Sequence, residues 1–144
     1  MIALDTNVLI YAHRGETNLH SIASAKLTAL AEGDEPWALP IFCITEFLRV
    51  VTHARVFNPP STIATAIEFI ENLTISPSCR LATPGSEFLL HLKNVVISTE
   101  VRGNLVFDAQ IAALCREHGI QSILTNDRDF ERFGNLNVQP LAAL

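Results

Sequence analysis

A chain of 144 residues, 49% hydrophobic and 17% charged, is long enough to bury a core and too apolar for disorder. A single domain spanning residues 1–144 is therefore expected. Ten Lys and Arg against fifteen Asp and Glu leave a formal charge of −5, which taken alone argues against a nucleic-acid partner. No apolar run approaches the roughly 20 residues of a membrane span. The first residues lack the basic, apolar and small-residue order of a secretory signal, so a cytoplasmic protein without membrane contact is expected. Cys43, Cys79 and Cys115 are odd in number and widely spaced, which indicates neither a disulfide framework nor a zinc site.

In chain order, Ile2-Ala-Leu4 predicts a short buried strand, and Asp5-Thr6-Asn7 offers capping chemistry for a helix over Val8–Ala12. A second helix is predicted from His20 to about Ala31, with Ile22, Ala23, Leu27 and Leu30 on one face and Gly33 at its end. Trp37-Ala-Leu39 reads as a strand, and Pro40 suits the start of a helix running to about His53. Asn58-Pro59-Pro60 breaks the chain. Ser61 is then placed to cap a helix over 62–73, with Ile63, Ile67 and Ile70 at helical spacing. A short strand at 79–82 precedes a long helix opened by Pro84 and Ser86 and reaching about Ile97. A sixth helix is predicted from about Leu105 to Glu117, stopped by Gly119. Ser122–Thr125 reads as a strand, 127–133 as one or two helical turns, and Asn137–Gln139 as an edge strand. Strands alternating with helices predict an α/β protein with a mostly parallel, right-handed sheet.

Four acids occupy positions that their local sequence disfavours. Asp5 ends the run Met1-Ile-Ala-Leu4, and Glu46 lies among Ile44, Phe47 and Leu48. Asp108 stands between Leu105-Val-Phe107 and Ala109-Gln-Ile-Ala112, and Asp127 follows Ile123-Leu-Thr-Asn126. A carboxylate on a buried face is costly unless it is paired or coordinates a metal. In parallel sheets the functional crevice lies beyond the carboxyl ends of the strands, where Asp5 and Asp127 are both expected to project. Each acid also has a local explanation. Asp5 and Asp108 are candidate helix caps, Asp127 a turn residue beside Asn126 and Asp129, and Glu46 an ion-pair partner of Arg49.

If the four converge, hard oxygen donors suit Mg²⁺ or Mn²⁺. Mg²⁺ takes few direct carboxylates, so Asp5 and Asp108 are expected closest to the ion and Glu46 and Asp127 partly through water. Without these four acids the chain carries ten bases against eleven acids, which softens the charge objection to a nucleic acid. Eight of the ten bases are Arg, the better bidentate phosphate ligand. The five histidines form no H-x-x-x-H or H-E-x-x-H pattern, and there is no G-x-G-x-x-G, Walker loop or G-x-S-x-G. Asp5-Thr6-Asn7 lacks the second Asp of a phosphatase D-x-D.

The ordered set Met1-Ile-Ala-Leu-Asp-Thr-Asn-Val-Leu9, Ile44-Thr-Glu-Phe47, Phe107-Asp-Ala-Gln-Ile-Ala112 and Leu124-Thr-Asn-Asp-Arg-Asp-Phe130 resembles the PIN-domain nucleases. Within them it resembles the VapC-type toxins of bacterial toxin–antitoxin pairs. The resemblance implies a three-layer α/β/α fold with a short central sheet and a metal site at Asp5, Glu46, Asp108 and Asp127. It makes Asn7 and Thr125 supporting polar groups and Asp129 the alternate to Asp127. It further implies an endoribonuclease using Mg²⁺ or Mn²⁺ on an RNA substrate such as tRNA or rRNA, a cognate antitoxin and a homodimer. Two other functions remain open at this stage. One is a protein-binding module using apolar side chains such as Phe57, Phe69 and Leu73. The other is a DNA nuclease on the same fold.

Overall fold

The computed structural model describes residues 1–141. Five strands form one sheet: β1 (Ile2–Leu4), β2 (Trp37–Pro40), β3 (Cys79–Ala82), β4 (Ser122–Leu124) and β5 (Asn137–Gln139). Their order is β3-β2-β1-β4-β5, and all four pairings are parallel. Ala3 lies opposite Ala38 on one side and Ile123 on the other, so β1 is the centre of the sheet. The edge strands are the exposed ones: the two middle residues of β3 and both ends of β5 face solvent, whereas all of Trp37–Pro40 is buried.

Six α-helices connect the strands: α1 (Thr6–His13), α2 (His20–Glu32), α3 (Ile41–Val51), α4 (Ile63–Thr74), α5 (Phe88–Thr99) and α6 (Leu105–Glu117). A 3-10 helix, Arg128–Arg132, leads from β4 to β5. The first two crossovers advance the sheet from β1 to β2 to β3, and the third returns past β1 to β4. Right-handed crossovers in opposite directions place their helices on opposite faces. Accordingly α1 packs on α2 and α3, α3 on α4, and α5 on α6. The chain therefore builds the expected α/β/α layers. The core includes Leu4, Leu9, Trp37, Leu39, Phe47, Leu114, Ile123 and Phe130, all almost wholly enclosed. The Trp37 indole N–H donates to Ser78 Oγ at 3.0 Å, satisfying the one polar atom that this ring brings into the core. None of the described helices is long and apolar enough to cross a membrane.

Several local expectations change. The cap of α4 is Thr62, whose hydroxyl accepts from Thr65 N at 3.1 Å. Ser61 instead bonds His13 Nε2 at 2.8 Å and Arg14 Nη1 at 3.0 Å. The buried stripe of α4 is Ala66, Ile70 and Leu73, and Ile63 and Ile67 face solvent. On α2, Ala23 and Leu27 are buried but Ile22 is exposed. Helix α3 ends at Val51, two residues before His53. Helix α5 starts at Phe88, later than Pro84, and the turn before it is held by Glu117 from the end of α6, which accepts from Gly85 N and Glu87 N at 2.8 and 3.0 Å. Gly119, at φ +67°, takes the left-handed turn that ends α6. Gly33 ends α2 differently: its backbone is extended, and a Cβ there would meet Ala29 O at 2.9 Å.

Candidate metal centre

The order in which the chain adds strands reverses between β1 and β4, which opens a crevice at their carboxyl ends. Asp5 and Thr125 are the residues that follow these two strands. The ladder extends one step further, with Asp5 N donating to Leu124 O at 3.1 Å. Asp5 is only 5% exposed. Its Oδ1 accepts from Thr6 N at 2.7 Å, and its Oδ2 accepts from the wholly buried Thr125 hydroxyl at 2.7 Å. It does cap α1, as its local sequence allows. A cap alone, however, does not require a carboxylate this deeply enclosed.

Two hydroxyls relay this order outward. Thr125 Oγ1 also accepts from Asp127 N at 2.9 Å, which fixes the turn carrying Asp127. Asp127 Oδ1 in turn accepts from Asp129 N at 2.9 Å and caps the 3-10 helix. On the other side, Thr6 Oγ1 donates to Glu46 Oε2 at 3.0 Å and so orients a residue forty positions away. Glu46 is a half-buried residue rather than a core one, with a side chain 42% exposed. Its contact with Arg49, at 4.0 Å between exposed groups, is too weak to account for its position. Asp108 is the fourth residue of α6, and the N-cap is Asn104, so Asp108 is not a capping residue. Asn126, between Thr125 and Asp127, accepts from Leu141 N at 2.7 Å and ties the chain beyond β5 to this loop.

The acids sense one another. Burial raises the Asp5 carboxyl to about 6, and the negative charges of Glu46 and Asp127 add to the rise, while the bonds from Thr125 and Thr6 oppose it. Asp108 is pushed up to about 7, first by burial and then by Asp127, Asp5, Asp129 and Glu46. Asp108, Asp127 and Asp129 each offer an oxygen within 4.8 Å of the others. Of the four sequence-derived acids, Asp108 and Asp127 share this group with Asp129, whereas Asp5 and Glu46 lie outside it and connect to it through the Thr125 and Thr6 hydroxyls. The Asp129 backbone is capped by Asp127, and its side chain reaches Arg132 at 3.4 Å. Asn7, the expected supporting residue, lies exposed in the first turn of α1. Thr6 was missed in the sequence. The signal was a hydroxyl beside a strand-end carboxylate, but its partner Glu46 is distant in sequence.

The donor set suits a hard divalent cation. All five acids offer oxygen, and among the described residues no Lys or Arg forms an ion pair with Asp5, Asp108 or Asp127. Burial, with the neighbouring acids, holds two of the carboxyls above the ordinary carboxylate range, and a bound cation would favour their ionised form. Cys43, wholly buried nearby, is held as a thiol by burial and by the Asp5 and Glu46 charges, so it is no competing ligand for a soft metal. Phe57, Phe69 and Leu73, the candidates for a partner groove, each make contacts within the chain. Phe69 packs on His13 and Phe47, Phe57 lies under the Arg14 guanidinium at 4.5 Å, and Leu73 is buried.

Parallel sheet order, helix layers and a carboxylate cluster at the switch point define an α/β/α protein with a candidate metal centre. The PIN domain profile matches residues 2–136, and the chain belongs to this family. Among curated relatives it is 34% identical to VapC ribonuclease Mb2897 of Mycobacterium bovis over 136 residues, covering 94% of this chain and 92% of the relative. It is equally similar to Ribonuclease VapC31 of Mycobacterium tuberculosis, covering 94% and 95% of the two chains. Among solved structures, VapBC2 from Rickettsia felis bound to a promoter DNA fragment superposes with a TM-score of 0.70. It shows 17% identity and covers 97% of this chain and 98% of that one. VapC20 of Mycobacterium tuberculosis, described as a Sarcin-Ricin loop cleaving toxin, gives 0.68 at 16% identity over 93% and 95%.

Proposed function

We propose that this chain is an endoribonuclease using Mg²⁺ or Mn²⁺ and serving as the toxin of a toxin–antitoxin pair, with residues 1–144 as one nuclease domain. The observation that supports the proposal is the grouping of Asp108, Asp127 and Asp129 oxygens within 4.8 Å of one another, with Asp5 and Glu46 linked to it through the Thr125 and Thr6 hydroxyls. The ribonuclease names of relatives at 34% identity support RNA as substrate, and the toxin–antitoxin titles of the structural neighbours support a cognate antitoxin.

The roles follow from position. Asp5, at the carboxyl end of the central strand, and Asp108, within 4.8 Å of Asp127 and Asp129, are the direct metal ligands. Glu46, Asp127 and Asp129 line the mouth, where they hold water or the ion's outer contacts. Thr125 and Thr6 are positioning residues, each fixing a carboxylate by a hydrogen bond of 2.7 and 3.0 Å. When bound, the ion supplies a water of lowered pKa and positive charge opposite the phosphate oxygens. Asp5 must be ionised for this, and its two hydrogen bonds favour that form. The RNA is tRNA or rRNA, the site acts in the cytoplasm, and the chain forms a homodimer. The antitoxin covers the acids with a basic side chain, replacing the cation's charge.

The test is cleavage of purified tRNA and rRNA with Mg²⁺ or Mn²⁺, with EDTA, and with the Asp108→Asn variant. Metal-dependent cutting that Asp108→Asn abolishes is expected. Cutting that persists in EDTA, or in Asp108→Asn at the wild-type rate, overturns the assignment. Cutting of DNA in preference to RNA overturns the substrate.

A further inference from the structure

A cleft of about 410 Å³ opens between α3 and α6 beside the acids, lined by Phe42, Glu46, Arg49, Phe107, Gln110 and Ile111. Glu46 lines this cleft and connects to the acid cluster through the Thr6 hydroxyl, and Phe107 immediately precedes Asp108. A polymer whose phosphate reaches the acids therefore has its neighbouring nucleotide at this cleft. The chemistry matches a nucleobase. Phe107 is 64% exposed, which is unusual for a large aromatic side chain. Phe42, tilted against Phe88 with ring centroids 5.6 Å apart, forms a fixed aromatic wall. Gln110 offers both a donor and an acceptor for a base edge. Arg49, with a side chain 67% exposed and only the 4.0 Å contact to Glu46, puts a positive charge at the rim.

We propose that this cleft is a base-binding subsite, in which Phe107 stacks on an unpaired nucleobase adjoining the cut phosphate, Gln110 meets that base's edge and Arg49 meets the next phosphate. The proposal rests on the ribonuclease assignment above and adds a specificity element to it. Stacking on an aromatic side chain is available from any base in a single-stranded segment and is worth about tenfold in affinity when the ring is removed. Phe107 and Gln110 are three residues apart on α6, one helical turn, so the same rigid element presents the stacking face and the edge contact.

The experiment first maps the ends produced by the wild type with Mn²⁺ on bacterial total RNA, and then uses a synthetic RNA spanning one mapped cut. Wild type and Phe107→Ala are each assayed on this RNA and on copies with an abasic residue on either side of the cut. At one of those two positions, removing the base should lower wild-type kcat/KM about tenfold. Phe107→Ala should show the same loss on intact RNA, mainly through KM, and no further loss on that abasic copy. Phe107→Trp should retain wild-type KM. Binding measured by anisotropy of the labelled RNA should weaken about tenfold when Phe107→Ala is added to an Asp5→Asn background that cannot cut. Additive losses, or unchanged KM and binding, overturn the proposal. A shift from dimer to monomer by light scattering, with the RNA parameters unmoved, assigns Phe107 to a second copy of the chain instead. Failure of the wild type to cut RNA at all defeats the ribonuclease assignment itself, and the subsite falls with it.

Discussion

Replacing Asp5 by Asn should make the metal-free protein more stable at pH 8 and less stable at pH 4. The carboxyl's folded pKa is about 6 against 3.8 in an unfolded chain, because burial disfavours its charge. Between those two values the folded protein holds a proton that the unfolded chain has released. Stability therefore falls as pH rises through this window, and the loss is complete above about 6. A shift of about two units corresponds to roughly 3 kcal/mol. Asn has no charge to bury but keeps only one acceptor oxygen for the two donors, Thr6 N and Thr125 Oγ1. That lost bond costs about 1 kcal/mol. The net effect at pH 8 is about 2 kcal/mol of stabilisation, or roughly 8 °C in Tm for a chain of this size. Near pH 4 only the lost bond remains, and the sign reverses. Thermal unfolding in EDTA, followed by circular dichroism at both pH values, measures this directly. Added Mn²⁺ should raise the wild-type Tm by about 10 °C at a hundredfold excess over its dissociation constant, with a much smaller effect on Asp5→Asn. Equal destabilisation of Asp5→Asn at both pH values would show that Asp5 is a structural cap and nothing more.

Thr125→Val removes the hydroxyl that lowers the Asp5 pKa and strands the Asp127 N–H, so stability should fall by about 2 kcal/mol in denaturant titrations. The acidic limb of its cleavage pH profile should also move to higher pH, and Thr125→Ser should restore both; an unmoved profile would remove Thr125 from the site. Glu117→Ala should cost about 1 kcal/mol by freeing Gly85 N and Glu87 N, without changing the dependence of cleavage on metal concentration. Ser78→Ala leaves the Trp37 indole N–H buried without its partner and should cost about 2 kcal/mol. Trp37 is the only tryptophan, so its fluorescence reports that unfolding without a label.

What the sequence revealed and what it concealed divide along physical lines. The central strands were legible because each carries a short apolar run that ends where the chain turns into a helix or loop, as at Asp5 and Pro40. Asp5 and Asp127 were therefore placed at strand ends from local chemistry alone. The rotation of an amphipathic helix was harder. In α4, Ile63 and Ile67 have the stronger hydrophobicity, but the small Ala66 allows the close approach and turns the helix so that Ile70 and Leu73 face inward. The turn that precedes α5 was illegible because the residue that holds it, Glu117, lies thirty or more positions on in the sequence. The same holds for the support of Glu46. Thr6 and Glu46 are each unremarkable locally, and only the packing of α1 on α3 makes them a pair.

This arrangement also explains how so acidic a chain can approach a polyanion. Apart from Asp5, Glu46, Asp108, Asp127 and Asp129, it carries ten acids against its ten bases. The whole excess negative charge is thus equal to the charge of one crevice, and the rest of the molecule is neutral in net terms. A divalent ion placed there neutralises charge where a phosphate would bind, and among the described residues no Lys or Arg forms an ion pair with Asp5, Asp108 or Asp127 to do so. Attraction for RNA is then switched on by the cation rather than spread over a basic surface. A partner protein that inserts a positive side chain into the same crevice would compete with the cation for the same carboxylates, so on the proposed assignment the acids that hold the metal are also the handle for silencing it.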